Sequence, residues 1–327
     1  MVAKEQIPYE VRTMIKSDIE IQCKRTEITV SKLLSWYGLS SSTYYGWIDA
    51  PVKESKRYNP ASVLEDEEQA VVNYRIKNRN VGYRKFTWMM NDAEIAFLSE
   101  SAVYSILSKH NLLGVQSYNG AGAEDEYRQK PHHVHDHWHT DLAYVKIKGV
   151  FYFLSMILDG YSRYILGWEL LTDMTTMSVQ DLFLKVRAKY PDGRPKLIND
   201  NGSCYISKDF KSLVSNLEIQ QVFTRRNHPE TNGKIERLNG TVRQEALQLH
   251  YPTSFVDAEE VIGNFVHFYN NKRLHAGIQY TTPADVFNGR QQQVLISRKI
   301  KLEAAKLARI NINKRLRRDA DLSQIIN

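Results

Sequence analysis

The spacing of apolar residues near the N-terminus predicts two short helices joined by a turn. Val30, Leu33 and Leu34 recur at helical spacing, and Gly38 is placed to end that helix. Ser40–Ser42 can cap the second helix. Such a unit can place its second helix in a DNA major groove, although many helical hairpins only pack against neighbouring elements.

A second helical block follows a polar segment bounded by prolines. Residues 63–78, 83–90 and 101–110 each carry an apolar stripe at helical spacing, and Ser99 offers a cap for the last helix. Basic residues gather near the first two of these helices, where they form either a solvated face or contacts to phosphates. We therefore expect a compact all-α unit in this part of the chain.

Beyond residue 134 the pattern changes to that of a sheet. Three runs rich in β-branched and aromatic residues, 139–146, 150–158 and 164–171, are separated by short turns and predict an antiparallel meander. The elements expected next are a helix at 177–190, a strand at 196–199, a helix at 208–216, a strand at 220–224 and a long helix from near Glu230. This order predicts an α/β core with a mixed sheet and helices on both faces.

These patterns divide the chain into helical units, linkers and the core. The predicted boundaries are a helix-turn-helix unit at 1–50, a linker at 51–60, a second helical DNA-binding unit at 61–116, a linker at 117–134, the core at 135–288 and a basic C-terminal helical segment at 289–327. Within the last segment, Arg290–Arg318 contains ten Lys or Arg residues and one acid, Glu303. This imbalance indicates an electrostatic footprint for nucleic acid or a disordered solubilising tail, and we favour the first.

Composition narrows the class of protein. Of the 327 residues 42% are hydrophobic, mean hydropathy is -0.47, and Val150–Leu158, the longest nearly unbroken apolar run, has the length of a strand rather than a membrane span. No secretory signal is visible, and Cys23 and Cys204 form no CxxC pair, so we expect a cytoplasmic protein. Lys and Arg number 44 against 37 acids, and the pI of about 9.1 favours a polyanionic partner.

Three carboxylates occupy positions that the predicted sheet would bring together. Asp141 lies in the first strand, Asp200 ends the fourth and Glu236 lies in the long helix. Strand ends in an α/β sheet face a common crevice, and burying a carboxylate without a partner is costly. Carboxylate oxygens suit Mg²⁺ or Mn²⁺, and two such ions would serve in-line displacement at phosphorus. The structural alternative is a strand-end cap, an Asx turn and a solvated helix residue, respectively.

These residues also carry a resemblance. The segment WHTDLAYVKIKGVFYFLSMILDGYSRYILGWEL, followed by INDNGSCY and NHPETNGKIERLNGTVRQE, resembles the catalytic core of DDE transposases of bacterial insertion sequences, which is of the retroviral-integrase type. There are 58 residues between Asp141 and Asp200 and 35 between Asp200 and Glu236, and the second interval is a hallmark of that family. Phe268–Phe287 resembles the stretch that follows this core, and the upstream helical units resemble helix-turn-helix modules that precede it.

The resemblance implies an RNase H-like core in which Asp141, Asp200 and Glu236 are the catalytic residues and metal ligands. It implies a DNA transposase that cleaves the ends of a mobile element and transfers the freed 3′-hydroxyl to another strand. The expected cofactors are two Mg²⁺ or Mn²⁺ ions, and no ATP because no GxxxxGK[ST] loop is present. The expected partners are double-stranded DNA, as terminal inverted repeats and target, and at least one further copy of the chain, with no membrane and a location at the bacterial nucleoid.

Two other interpretations stay open beside the DNA transposase. An RNase H-like nuclease without strand transfer would use the same carboxylates, and a catalytically inactive DNA-binding regulator would retain only the fold. Related elements often encode a further helix-turn-helix and a coiled coil upstream. Because this chain shows no sustained heptads, it is expected to be either the downstream product or a self-sufficient variant.

Several further residues are candidates or decoys. Asp159 ends an apolar strand but is followed by Gly160 and Ser162, so we interpret it as a turn cap or a partner of Arg163, and Asp136 is a weaker candidate. The histidine-rich segment HHVHDHWH is expected to be a linker over DNA or the active-site mouth rather than a zinc site, because no cysteine pair accompanies it. The candidate DNA contacts are Tyr44, Tyr45, Arg84, Lys85, Lys234, Arg237, Lys314, Arg315, Arg317 and Arg318.

Overall fold

The structure is a computed structural model that describes residues 9–48, 59–113, 130–224 and 232–326. The chain forms two compact units, residues 1–60 and 61–327. The helices of the first unit are α1 (Tyr9–Arg25), α2 (Val30–Trp36) and α3 (Ser41–Ile48). Those of the second unit before the sheet are α4 (Glu65–Lys77), α5 (Tyr83–Asp92) and α6 (Glu100–Lys109).

The N-terminal unit contains one more helix than the sequence pattern predicts. Helices α2 and α3 lie where expected, and Gly38 takes the left-handed conformation, with φ +64°, just past the end of α2. Helix α1 was not predicted, because charged and apolar residues mix around it without a clear stripe. Its Ile19 is nevertheless buried against Leu33, Leu34 and Tyr44, and these side chains form the core of the unit.

Helices α4–α6 enclose a core of their own, formed around Val71, Phe86 and Leu107. The predicted cap of α6 is confirmed, because the hydroxyl of Ser99 accepts a hydrogen bond from the backbone of the first turn. Arg75, one of the basic residues near α4, is only 2% exposed and donates to four backbone carbonyls, including Leu112 O at 2.9 Å. Arg75 therefore links helix ends through buried hydrogen bonds and is not a surface cation.

The predicted mixed sheet is confirmed and has the order β3-β2-β1-β4-β5. The strands are β1 (His137–Ile147), β2 (Val150–Asp159), β3 (Ile165–Leu171), β4 (Lys196–Asn199) and β5 (Gln220–Phe223). The first three strands pair antiparallel, whereas β4 runs parallel to β1 and β5 parallel to β4. This is the RNase H-like arrangement, a meander extended by two crossover units.

Helices cover both faces of the sheet. Those that follow the meander are α7 (Thr176–Lys189), α8 (Ser203–Ile206), α9 (Lys208–Asn216), α10 (Gly233–Val242), α11 (Gln248–His250), α12 (Phe255–Asn271) and α13 (Pro283–Phe287), with a π-helical turn at Arg243–Leu247 and a 3₁₀ turn at Ala276–Ile278. Helices α7 and α9 bury one face with Trp138 of β1, and α10 and α12 bury the other with Val145 and Ile147. Because side chains alternate along a strand, Asp141 shares the face of Val145 and points towards α10 and α12.

The basic C-terminal segment forms the helix α14 (Gln291–Ile326), as predicted, but part of its charge is used internally. Arg298 forms a bidentate pair with Asp92 at 2.8 and 2.6 Å, and Arg309 pairs with Glu67 at 2.8 Å. Both arginines are buried. These two arginines therefore do not contribute to the predicted electrostatic footprint for nucleic acid. A count of charges along the sequence does not show which of them pair within the fold. Within the described residues, every helix is too short or too polar to cross a membrane.

Candidate active site

Asp141 is held in place by two hydrogen bonds from different elements. Its Oδ1 accepts from the backbone N–H of Leu142 at 2.9 Å, and its Oδ2 accepts from Nδ2 of Asn239 in α10, also at 2.9 Å. Asn239 was not singled out from the sequence. The available signal was its position, three residues after Glu236, which places both on adjacent turns of one helix face.

Asp200 follows β4 directly and comes level with Asp141. Trp138 pairs with Leu197 and His139 with Ile198 in the parallel register of β1 and β4, and two further steps along both strands reach Asp141 and Asp200. The Asp200 Oδ1 accepts a hydrogen bond from the backbone N–H of Gly202 at 2.9 Å, so the predicted Asx turn is present too. A Cβ at Gly202 would lie 3.0 Å from that same oxygen, and glycine allows the tight turn that leads into α8.

Glu236 lies in the first turn of α10, where its side chain is exposed. The buried residues Ile235, Leu238 and Val242 fix α10 against the sheet, and α10 packs on β1. The three predicted carboxylates thus come from three elements. Asp141 lies in β1, Asp200 follows the parallel strand β4, and Glu236 lies at the start of α10.

The three carboxylates interact electrostatically. Burial, and then the charges of Asp200 and Glu236, raise the pKa of Asp141 to about 6 against the hydrogen bonds from Leu142 and Asn239, which lower it. Partial desolvation of the Glu236 carboxylate, followed by the charge of Asp200, also raises its pKa. The raised pKa values of Asp141 and Glu236 mean that the negative charge near these two groups is poorly compensated by the protein itself, and a bound cation would compensate it.

The carboxylates of Asp141, Asp200 and Glu236 have the chemistry of ligands for a divalent metal ion, although their side chains are not arranged as a complete metal site. Among the described residues, no group of three His, Cys, Asp or Glu side chains is arranged so that it could hold a metal ion. The carboxylate oxygens of Asp141, Asp200 and Glu236 are the ligand type that Mg²⁺ and Mn²⁺ prefer. The charges of Asp200 and Glu236 repel the charge of Asp141 and raise its pKa. A bound cation would relieve this repulsion.

The interpretation of Asp159 as a turn residue is confirmed. Its Oδ1 accepts from the backbone N–H of Ser162 at 2.7 Å and from the Ser162 hydroxyl at 2.6 Å, while its Oδ2 accepts from the backbone N–H of His135 at 2.8 Å. Asp136 likewise binds the backbone N–H groups of His132 and His133. Both carboxylates are therefore engaged in local structure.

The histidine-rich segment is not a linker throughout, contrary to expectation, because its last three residues belong to the sheet. His137 and His139 belong to β1 and are buried, because the strand begins earlier than the apolar pattern indicates. Burial, and then the charge of Lys234, lower the pKa of both imidazoles, so they are neutral at pH 7. Gly160 fits against them without a side chain, since a Cβ there would lie 2.8 Å from Nε2 of His139.

The structure separates the N-terminal candidates for DNA contacts. Tyr44 is 4% exposed and forms part of the N-terminal core, so the prediction that it contacts DNA is corrected to a packing role. Its position in the helical pattern could not show which of two adjacent tyrosines faces inward. Tyr45 is 49% exposed and remains a predicted contact.

Candidates in the larger unit differ in exposure too. Arg84 is exposed near Glu100, with 3.6 Å between Nε and Oε2, whereas Lys85 is half-buried beside Arg273 and Glu245. Arg237 is exposed on α10. The remaining candidates are the half-buried Lys234 and the exposed residues Lys314, Arg315, Arg317 and Arg318 of α14, and all of these stay predictions.

Comparison with known proteins finds family models and relatives that match part of this chain. Two models, both described as an integrase core domain, match residues 131–229 and 217–283. A transposase for insertion sequence element IS904 of Lactococcus lactis is 30% identical over 152 residues, which cover 45% of this chain and 59% of that protein. A transposase for insertion sequence element IS629 of Shigella sonnei is 24% identical over 279 residues, which cover 80% and 92%. The chain thus spans about three fifths of the first relative and most of the second.

Among solved structures, the chain is similar to the catalytic core domain of the HTLV-2 integrase in complex with magnesium. The identity is 19% and the TM-score 0.40, with 47% of this chain and 97% of that chain covered.

Proposed function

We propose that this chain is a DNA transposase, because integrase core domain models match residues 131–229 and 217–283 and the chain is similar to transposases of bacterial insertion sequences. It would cleave at the ends of a mobile element and join the freed 3′-hydroxyl to target DNA. The observation that carries this proposal is the electrostatic interaction of Asp141, Asp200 and Glu236, in which the charge of Asp200 raises the pKa of both other groups.

In this proposal Asp141, Asp200 and Glu236 would hold two ions of Mg²⁺ or Mn²⁺. When bound, such ions activate the attacking oxygen and stabilise the leaving one during in-line displacement at phosphorus. Hydrolysis at the element end and attack by the 3′-hydroxyl are both displacements of this kind, so one set of carboxylates serves both steps.

The surrounding residues position the carboxylates. The N–H groups of Leu142 and Asn239 each donate to one oxygen of Asp141, which fixes the plane of its carboxylate and favours the ionised form that binds metal. The backbone N–H of Gly202 donates to one oxygen of Asp200 and orients that carboxylate. Packing of α10 on the sheet sets the position of Glu236.

In this proposal exposed and half-buried basic residues would bind the DNA backbone. Lys234 and Arg237 flank Glu236, and four exposed basic residues lie near the C-terminal end of α14. We expect the N-terminal helices, with the exposed Tyr45, to recognise terminal inverted repeats, and at least two copies of the chain to bring two ends together.

Incubation of the full chain and Mn²⁺ with a labelled duplex carrying an end of its own DNA element, plus a target plasmid, tests the proposal. We expect both cleaved ends and labelled ends joined to the plasmid. Products limited to hydrolysis would instead establish a nuclease, and DNA binding without either product would establish a regulator. Asp141→Asn should abolish both products and retain DNA binding, because it changes the charge of the site and not its size.

A further inference from the structure

An exposed group of aromatic side chains lies near the turn that joins β1 to β2. We call it the hairpin aromatic patch, and its members are Tyr144, Phe151 and Phe153. Tyr144 pairs with Phe153 across the two strands, with their ring centroids 5.3 Å apart, and lies 6.4 Å from the centroid of Phe151. Tyr144 and Phe151 are 57% and 54% exposed, and Phe153 is half-buried. The three rings therefore form one continuous surface that is open to solvent.

The patch lies on a part of the sheet that is covered on one face only. Val145 and Ile147 point towards α10 and α12 and are buried, so Tyr144 and Lys146, which alternate with them along β1, point to the opposite face. Helices α7 and α9 cover that opposite face farther from the turn, around Trp138. A sheet face that meets water ordinarily carries polar side chains. Three aromatic rings at this place therefore indicate a binding surface.

The charge around the patch favours an anionic partner. The Nζ of Lys146 lies over the ring of Phe151, 5.2 Å from its centroid. Residues 142–154 contain two lysines and no acid. Glu169 of β3 lies on the same face, but it is paired with Lys185 of α7, with 2.5 Å between Nζ and Oε1. The patch thus combines flat aromatic faces with positive charge, the combination that binds single-stranded nucleic acid.

The patch lies close to the candidate active site along the same strand. Tyr144 follows Asp141 by three residues, which is about 10 Å along β1. The strand β4 pairs with β1 over His137–His139 and ends at Asn199. Beside Tyr144, β2 is therefore the only neighbouring strand among the described residues. A DNA strand at Asp141 can pass this open side of β1 and reach the opposite face, where the patch lies.

We propose that the hairpin aromatic patch binds unpaired nucleobases of a DNA strand by stacking them on its rings. The inference rests on the proposed function, because base pairs fray next to a strand that is cut, and the patch would hold the bases that are released. Aromatic rings stack with every base, so this contact needs no particular sequence. It concerns the faces of the bases, whereas the basic residues proposed above would contact phosphates.

The first experiment compares binding of the full chain to two labelled oligonucleotides of equal length, in the presence of a chelator. One is a thymine tract of about 12 nucleotides, and the other is an abasic tract that keeps the phosphates and lacks the bases. The wild type should bind the thymine tract about tenfold more tightly than the abasic tract, because only the former can stack. Fluorescence anisotropy measures both affinities.

Variants of the patch locate this preference. Tyr144→Ala and Phe151→Ala should each bind the thymine tract about fivefold more weakly and bind the abasic tract as the wild type does, which also shows that the variants fold. Tyr144→Phe should behave as the wild type, because it keeps the ring. Tyr251→Ala is the matched control, since Tyr251 is 77% exposed outside the patch and its loss should change neither affinity.

Three results would overturn the proposal. The wild type could bind the two tracts equally, or Tyr144→Ala could lose affinity for both tracts to the same extent, which would indicate a change in fold or charge. The third result is that the patch joins two copies of the chain. Sedimentation velocity without DNA would then show association of the wild type that Tyr144→Ala lacks, while both proteins would bind the thymine tract equally.

The two proposals fail in distinguishable ways. If the wild type joins labelled ends to a plasmid but shows no preference for the thymine tract, the stacking site is wrong and the transposase proposal stands. If the wild type joins no ends but Tyr144→Ala selectively loses the thymine tract, the stacking site stands on a protein that binds single-stranded DNA without strand transfer.

Discussion

Asp141 and Asp159 lie on neighbouring strands of one sheet, yet their surroundings differ in kind. Asp159 is fully buried, and hydrogen bonds from His135 and Ser162 occupy both of its oxygens. Asp141 also accepts two hydrogen bonds, but it faces Asp200 and Glu236, whose charges add to burial in raising its pKa to about 6. Hydrogen-bond donors thus satisfy Asp159 completely, whereas Asp141 has two other acids nearby in addition to its two donors.

The largest expected effect concerns activity at the acidic edge. Glu236→Gln should reduce joining of labelled ends by at least about a hundredfold, because it removes one charged ligand from the proposed metal site. A strand-transfer assay at saturating Mn²⁺ measures it. Glu260→Gln is the control, since Glu260 is exposed on α12 and should retain full activity. Equal loss in both variants would show that the assay reports surface charge and not the site.

The next effect concerns stability at the β2–β3 turn. Asp159→Ala should lower the free energy of unfolding by about 3 kcal/mol, because it leaves the N–H groups of His135 and Ser162 buried without an acceptor. Urea denaturation measures the change. Asp173→Ala removes three comparable hydrogen bonds at an exposed position and should cost under about 1 kcal/mol. Similar losses in the free energy of unfolding for the two variants would show that Asp159 contributes no more to stability than an exposed carboxylate.

A smaller effect is expected for the residue that orients Asp141. Asn239→Ala should reduce strand joining about tenfold and move the acidic limb of its pH profile to higher pH, because the lost hydrogen bond favours the ionised carboxylate. Asn271→Ala is the control, since its amide only donates to His267 O near the end of α12. A lower rate with an unmoved pH profile would indicate loss of packing and not loss of orientation.

The smallest effect is a gain of stability in the metal-free protein. The pKa of Asp141 is higher in the folded protein than its ordinary value of 3.8. Its ionisation therefore lowers the free energy of unfolding, and this loss develops as pH rises from 3.8 through about 6. Asp141→Asn should therefore raise the free energy of unfolding by about 1 to 2 kcal/mol at pH 8, and the gain should vanish below pH 4. Denaturation at both pH values in the presence of a chelator measures it. Destabilisation at pH 8 would show that Asp141 is as well compensated as Asp159.

Local patterns predicted most of the sheet. The strand Lys196–Asn199 and the helix Lys208–Asn216 lie at the predicted residues, because a short apolar run between turns and a regular helical stripe leave little ambiguity. The assignment of Asp141, Asp200 and Glu236 to one site came from their setting in the predicted sheet and stays a prediction. Asp159 could be set aside from sequence, since the Gly and Ser that follow it indicate a turn.

The features that the sequence could not reveal depend on contacts between distant segments. Arg298 meets Asp92 across 206 positions, so no local pattern distinguishes this buried arginine from the exposed ones beside it in α14. The interaction of Asn239 with Asp141 spans 98 positions. The orientation of Tyr44 and the environment of Lys85 likewise depend on which helix packs nearby. Charge and periodicity predict which residues are available, and tertiary packing decides what they contact.

The most direct measurement is a titration of the full chain with Mn²⁺, followed by electron paramagnetic resonance of the free ion. The wild type should bind Mn²⁺, Asp141→Asn and Asp200→Asn should each lose most of that binding, and Asp173→Asn should retain it. Binding of Mn²⁺ that is equal in the wild type and Asp141→Asn would overturn the assignment of this sheet edge as the metal-binding active site.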